Sequence, residues 1–159
     1  MHFSTLVSAF FVAAASAQNT YPPINLGTYG FPHGNIFVAW SPFTPTTTQE
    51  VVDVCDAKGA IQGTATWSAI RTASTYVLKP ICRNPFNITD DATNTTYFNL
   101  ELACVDDNID IGLQPQVTAV VDTATNKTIE TCVPAPIATT TGCHGTTFES
   151  FSWQFACSA

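Results

Sequence analysis

The chain has little positive charge. Five lysines and arginines stand against twelve aspartates and glutamates, for a net charge of −7. The cations Lys58, Arg71, Lys79, Arg83 and Lys127 are scattered. Nucleic acid and anionic membrane surfaces both need clustered Lys and Arg, so neither partner is expected. Apolar runs long enough to span a bilayer, about 18 residues or more, are also missing. Cys-x-x-Cys and His-x-x-x-His spacings do not occur, which argues against zinc and redox motifs. No Gly-x-Ser-x-Gly elbow is present. Helical periodicity is weak, with only a faint run at residues 65–73, and no internal repeat stands out.

What is present begins with an apolar run from Leu6 to Ala15, followed by Ala15-Ser16-Ala17. A short apolar stretch before a small-x-small triplet predicts a secretory signal peptide over residues 1–17. The remainder, residues 18–159, is then expected to be one secreted domain. No hydrophobic tail that would predict a lipid anchor follows at the C-terminus. Cys55, Cys82, Cys104, Cys132, Cys143 and Cys157 form an even set, which in a secreted chain predicts three disulfides. Three Asn-x-Thr sequons, at Asn87, Asn94 and Asn126, sit next to turn-like sequence and are expected to carry glycans.

Strand signals dominate. Residues 96–105 (TYFNLELACV) alternate with period 2, which predicts Phe98, Leu100, Leu102 and Cys104 on a buried face. This strand is expected to be the spine of the sheet. Residues 147–157 show the same pattern, with Phe151, Trp153, Phe155 and Cys157 on one face. Residues 35–41 (NIFVAWS) are apolar enough to be buried on both faces for part of their length. Further strands are predicted at 50–55 (EVVDVC), 63–70, 74–79, 116–122 and 127–133. Residues 123–126 read as a four-residue hairpin loop, and 134–142 as a linker-like loop. Residues 18–23 read as an extended arm. The pattern predicts an all-β fold, a single antiparallel β-sandwich or β-barrel stapled by disulfides.

Candidate chemistry is sparse. Asp106-x-Asn108-x-Asp110 starts like a calcium loop, but Ile111 stands where glycine is needed and Val117 where glutamate is needed. A polar turn is expected instead. His33 and His144 each precede glycine, a turn context, and neither has a nucleophile motif beside it. The carboxylate pairs Asp90-Asp91 and Asp106-Asp107 are adjacent in sequence, so on a strand they would point to opposite faces; solvated turns are expected. Trp40 and Trp153 fall in core patterns. Trp67, among alanines, is the tryptophan expected to be exposed and to contact a ligand. No catalytic residue, cofactor or metal site is predicted. Two functions fit: a secreted interaction protein without catalytic activity, or a carbohydrate-binding or carbohydrate-active extracellular protein.

From Cys55 to Leu102 the chain carries a cysteine, Trp67, a second cysteine (Cys82), Pro85-Phe86-Asn87-Ile88, a polar turn and Phe98-Asn99-Leu100-Glu101-Leu102. With the early His33-Gly34-Asn35-Ile36-Phe37-Val38, this resembles the fungal secreted β-barrel family typified by the major Alternaria allergen. The resemblance implies a compact barrel without enzymatic activity, secreted by a fungus and linked to host interaction; the partner expected for the chain is a host or cell-wall protein or glycan. It also implies the pair Cys55–Cys82, whose members flank the strands before residues 96–105. For the other four cysteines, strand ends predict Cys104–Cys157 and Cys132–Cys143; Cys104–Cys132 with Cys143–Cys157 is the competing set. Each bridge is expected to contribute about 3–4 kcal/mol.

Overall fold

A computed structural model describes residues 21–32, 34–57, 68–72, 81–90, 92–106, 116–145 and 148–159. Nine strands and one helix occur among them: β1 (Ile24–Phe31), β2 (Gly34–Trp40), α1 (Thr48–Ala57), β3 (Ser68–Thr72), β4 (Phe86–Asp90), β5 (Thr95–Cys104), β6 (Val117–Asp122), β7 (Lys127–Pro134), β8 (Thr140–Gly142) and β9 (Ser150–Ser158). They form one antiparallel sheet in the order β3-β2-β1-β9-β7-β6-β5-β4, with β8 also paired to β9. The end strands β3 and β4 come together, and Asn84 Nδ2 donates to the Ile70 carbonyl between them. The sheet is therefore a nearly closed barrel, the expected all-β class. Five of its eight pairings shift register. Such bulges increase local twist and bend a sheet towards closure.

Two cores lie on opposite sides of the sheet. Ile24, Leu26, Phe37, Leu100, Leu102 and Phe155 are among the residues that fill the barrel. Trp40, Val51, Val54, Phe151 and Trp153 belong to a second core outside it, under α1. β2 serves both: Phe37 and Ala39 face the barrel, and Val38 and Trp40 face the helix. Residues 37–40 are thus buried on both faces, as their composition suggests.

Four sequence expectations are corrected. Residues 50–55 are helix, not strand. Thr47 and Glu50 make a capping box: Glu50 N donates to Thr47 Oγ1 (3.2 Å) and Thr47 N donates to Glu50 Oε2 (3.1 Å). Val51, Val54 and Cys55, at helical spacing, are the buried face. Secondly, the strand β1 forms where none was foreseen. Its glycines disguise it, yet Gly27 is required there: a Cβ would sit 2.8 Å from both the Phe151 ring and the Ser152 carbonyl.

The third correction concerns β5, which is not the spine. That role falls to β9, which pairs with β1, β7 and β8. Within β5, Tyr97 stands opposite Ile88 and Leu100 opposite Phe86, so β5 carries one extra residue. Asn99 takes up the bulge with φ 60°. Tyr97 then packs on the barrel core, while Phe98 is 61% exposed. β9 makes the same switch. Leu26 faces Phe155 and Gly27 faces Trp153, which leaves Gln154 as the extra residue. Phe155 and Cys157 enter the barrel, whereas Phe151 and Trp153 enter the outer core. The four apolar residues of β9 therefore divide between two faces.

Fourthly, the disulfides are Cys55–Cys143, Cys82–Cys104 and Cys132–Cys157. None of the expected pairs forms, neither Cys55–Cys82, Cys104–Cys157 and Cys132–Cys143 nor the competing set. Because Cys55 lies on α1, it faces the outer layer and reaches Cys143. Cys132 and Cys157 are direct cross-strand neighbours, with Cα atoms 4.0 Å apart. Residues 134–142 are not a simple linker either, since β8 lies within them.

The 123–126 hairpin loop is found between β6 and β7. It has a twin between β4 and β5. Asp90-x-Ala92-Thr93-Asn94 and Asp122-x-Ala124-Thr125-Asn126 are the same sequence and the same turn, a short repeat that sequence inspection overlooked. In each the aspartate accepts from the alanine N (2.8 Å in both) and from the threonine Oγ1 (2.9 and 3.0 Å). Both asparagines adopt left-handed φ, 54° and 53°. β4 and β6 run in the same direction, so both turns sit at one end of the barrel.

Candidate functional site

β9 pairs with β1 along one edge and shares its other edge between two strands. β7 takes residues 155–158, and β8 takes 150–152. Between these partners the chain loops away over residues 135–139. One backbone bond spans the gap, Ala135 N to the Gln154 carbonyl at 2.8 Å. A groove of about 270 Å³ opens there. Its polar lining comes from Gln116, Thr139, Thr140, Ser152 and Gln154, and among the described residues no lining side chain is charged. Pro134 and Ala138 contribute apolar wall. Trp153 borders the groove but is buried, and its indole N–H is already committed to the Phe155 carbonyl (2.9 Å).

Gln154 is the bulge residue. Both atoms of its amide are buried without a hydrogen-bond partner. A buried polar group left unmade costs about 1–3 kcal/mol, and this one lies in the groove wall. Nothing in the alternating sequence of β9 marks the position; only the register shift does.

The barrel interior holds one acid that sequence reasoning missed. Glu130 is 1% exposed, and its Oε2 accepts from Ile24 N at 3.2 Å. Its Oε1 has no partner. Burial drives its pKa up to about 8 from the usual 4.5, against the smaller lowering effect of the Ile24 bond. At neutral pH it is mainly a neutral carboxylic acid. At that exposure it is not open to a substrate, and its bond to Ile24 N joins β7 to the start of β1.

The remaining candidate residues are dispersed. Trp67, His33, Asp91, Asp107, Asn108 and Asp110 lie outside the described residues, as do residues 1–17, where a signal peptide is expected, and residues 74–79. Asp106 is exposed. Asp90 is buried, not solvated, and is satisfied by its own turn. His144 is exposed, and its backbone N donates to Asp56 Oδ1, clipping the end of α1 beside the Cys55–Cys143 bridge. Trp40 and Trp153 are core, as expected. Asn87, Asn94 and Asn126 are all exposed. Among the described residues, no three His, Cys, Asp or Glu side chains gather to hold a metal.

No family model, no curated protein and no solved structure matches the chain.

Proposed function

We propose that the chain is a secreted interaction protein without catalytic activity, effector-like or resident at a fungal cell surface, that engages a host or cell-wall protein or glycan. One observation carries this reading: apolar side chains line the described barrel interior, while a groove whose described lining carries no charge lies open beside β9. Three disulfides in a chain of this size are compatible with an oxidising, extracellular compartment. The leader-like residues 1–17 support the same route. So do the sequons Asn87, Asn94 and Asn126, whose side chains are exposed where a glycan must be. The resemblance to the fungal barrel family points the same way, although the Cys55–Cys82 bridge that it implies is replaced here.

Secretion from a fungal host tests the reading. The protein is expected in the medium, cleaved before Gln18, with a mass that falls on endoglycosidase treatment. Pull-down on chitin and glucan, a glycan array and capture of host-surface proteins should yield a binding partner. A turnover activity on any carbohydrate in that panel would overturn the reading.

A further inference from the structure

We propose that the groove beside β9 binds a single neutral sugar ring and that Gln154 is the residue which hydrogen-bonds it. This rests on the reading of the chain as an extracellular interaction protein. Charge is the first argument. A molecule of net charge −7 presents a groove with no charged side chain among its described lining residues, so an ionic ligand would find no counter-charge from them. Size is the second. Pockets for drug-sized ligands run from about 300 to 1,000 Å³; at about 270 Å³ this one suits something smaller.

Hydrogen bonding is the third argument. Gln154 offers an N–H₂ donor and a carbonyl acceptor, and neither is used. A hydroxyl both donates and accepts, so two neighbouring ring hydroxyls satisfy both ends of one amide. No hydrogen bond from the amide need be broken for the side chain to turn outward and meet them. Thr139, Thr140 and Ser152 add hydroxyls around the same space. Pro134 and Ala138 supply apolar wall for the C–H face of the ring. Few polar groups on an apolar wall is the usual make-up of a small-molecule site.

The test titrates the full secreted protein separately with glucose, mannose, galactose and N-acetylglucosamine, and with glucuronic acid as the charged control, read by amide chemical shifts. At least one neutral sugar is expected to shift residues 134–140 and 152–155 saturably. Gln154→Leu should weaken that binding about tenfold or more without lowering Tm, since it removes an unsatisfied buried amide. Ala138→Trp, which fills the groove, should abolish it. No response to any neutral sugar overturns the proposal, as does a preference for glucuronic acid. Binding that persists in both variants overturns it as well, by placing the sugar elsewhere. New signals from a transformed sugar would instead overturn the non-catalytic reading.

Discussion

The barrel interior and the outer layer are built on the same three strands but held in different ways. Inside, β1, β2 and β9 are joined by five other strands, and Cys132–Cys157 lies within the packed cluster. Outside, one ten-residue helix covers them among the described residues. That helix is tied on by Cys55–Cys143, a bridge spanning 88 residues of sequence. Many neighbours share the load in the first region, whereas the second relies mainly on one helix face, a few loop residues and the bridge that fastens them. The outer layer is therefore the part that should separate first.

The largest effect is expected where that layer is untied. Removing Cys55–Cys143 with Cys55→Ser and Cys143→Ser should cost about 4–5 kcal/mol if unfolded-state entropy dominates. Hydrogen exchange should rise first in α1 and β8, with β5, β6 and β7 still protected. Exchange that rises equally throughout would erase the distinction between the regions.

A comparable effect should come from the interior, through pH. The folded state holds the Glu130 proton up to about pH 8, while the unfolded chain releases it near 4.5. Between those values the folded state binds more protons, so stability must fall as pH rises, on the order of 5 kcal/mol in all. Below pH 4.5 the stabilisation from this group is complete; above pH 8 no further loss follows. Thermal melts from pH 4 to 9 should show this decline, and Glu130→Gln should flatten it. An unchanged slope in the variant would remove Glu130 from the interior.

Two substitutions on β5 sharpen the contrast at smaller scale. Leu100→Ala should destabilise by about 2–5 kcal/mol, because it empties a packed barrel position. Phe98→Ala, two residues away, should change stability by no more than about 0.5 kcal/mol, because the bulge at Asn99 turns Phe98 out. Urea unfolding of both proteins measures the difference, and equal losses would contradict the bulge.

Those same positions show what the sequence could convey. Period-2 alternation identified β5 and β9 as strands, and the turn residues at 123–126 identified their hairpin, because both signals are local. Bulges are not visible in alternation. A single extra residue at Asn99 or Gln154 breaks the alternation, so side chains before and after it no longer share a face as spacing implies, and that misplaced Phe98 and merged two cores into one. α1 was hidden by its valines, which favour strands, although Thr47-x-x-Glu50 was a readable helix start. Disulfide pairing depends on which face each cysteine occupies, so it failed along with the faces. The candidate groove was illegible, because it exists only where β9 changes partner between β7 and β8.

Non-reducing peptide mapping of the protein tests most directly whether the helix is fastened outside the barrel. Peptides joining Cys55 to Cys143, Cys82 to Cys104 and Cys132 to Cys157 are the expected result. A peptide joining Cys55 to Cys82 would contradict it, because it would tie the helix to the turn before β4 and leave the outer layer without its bridge.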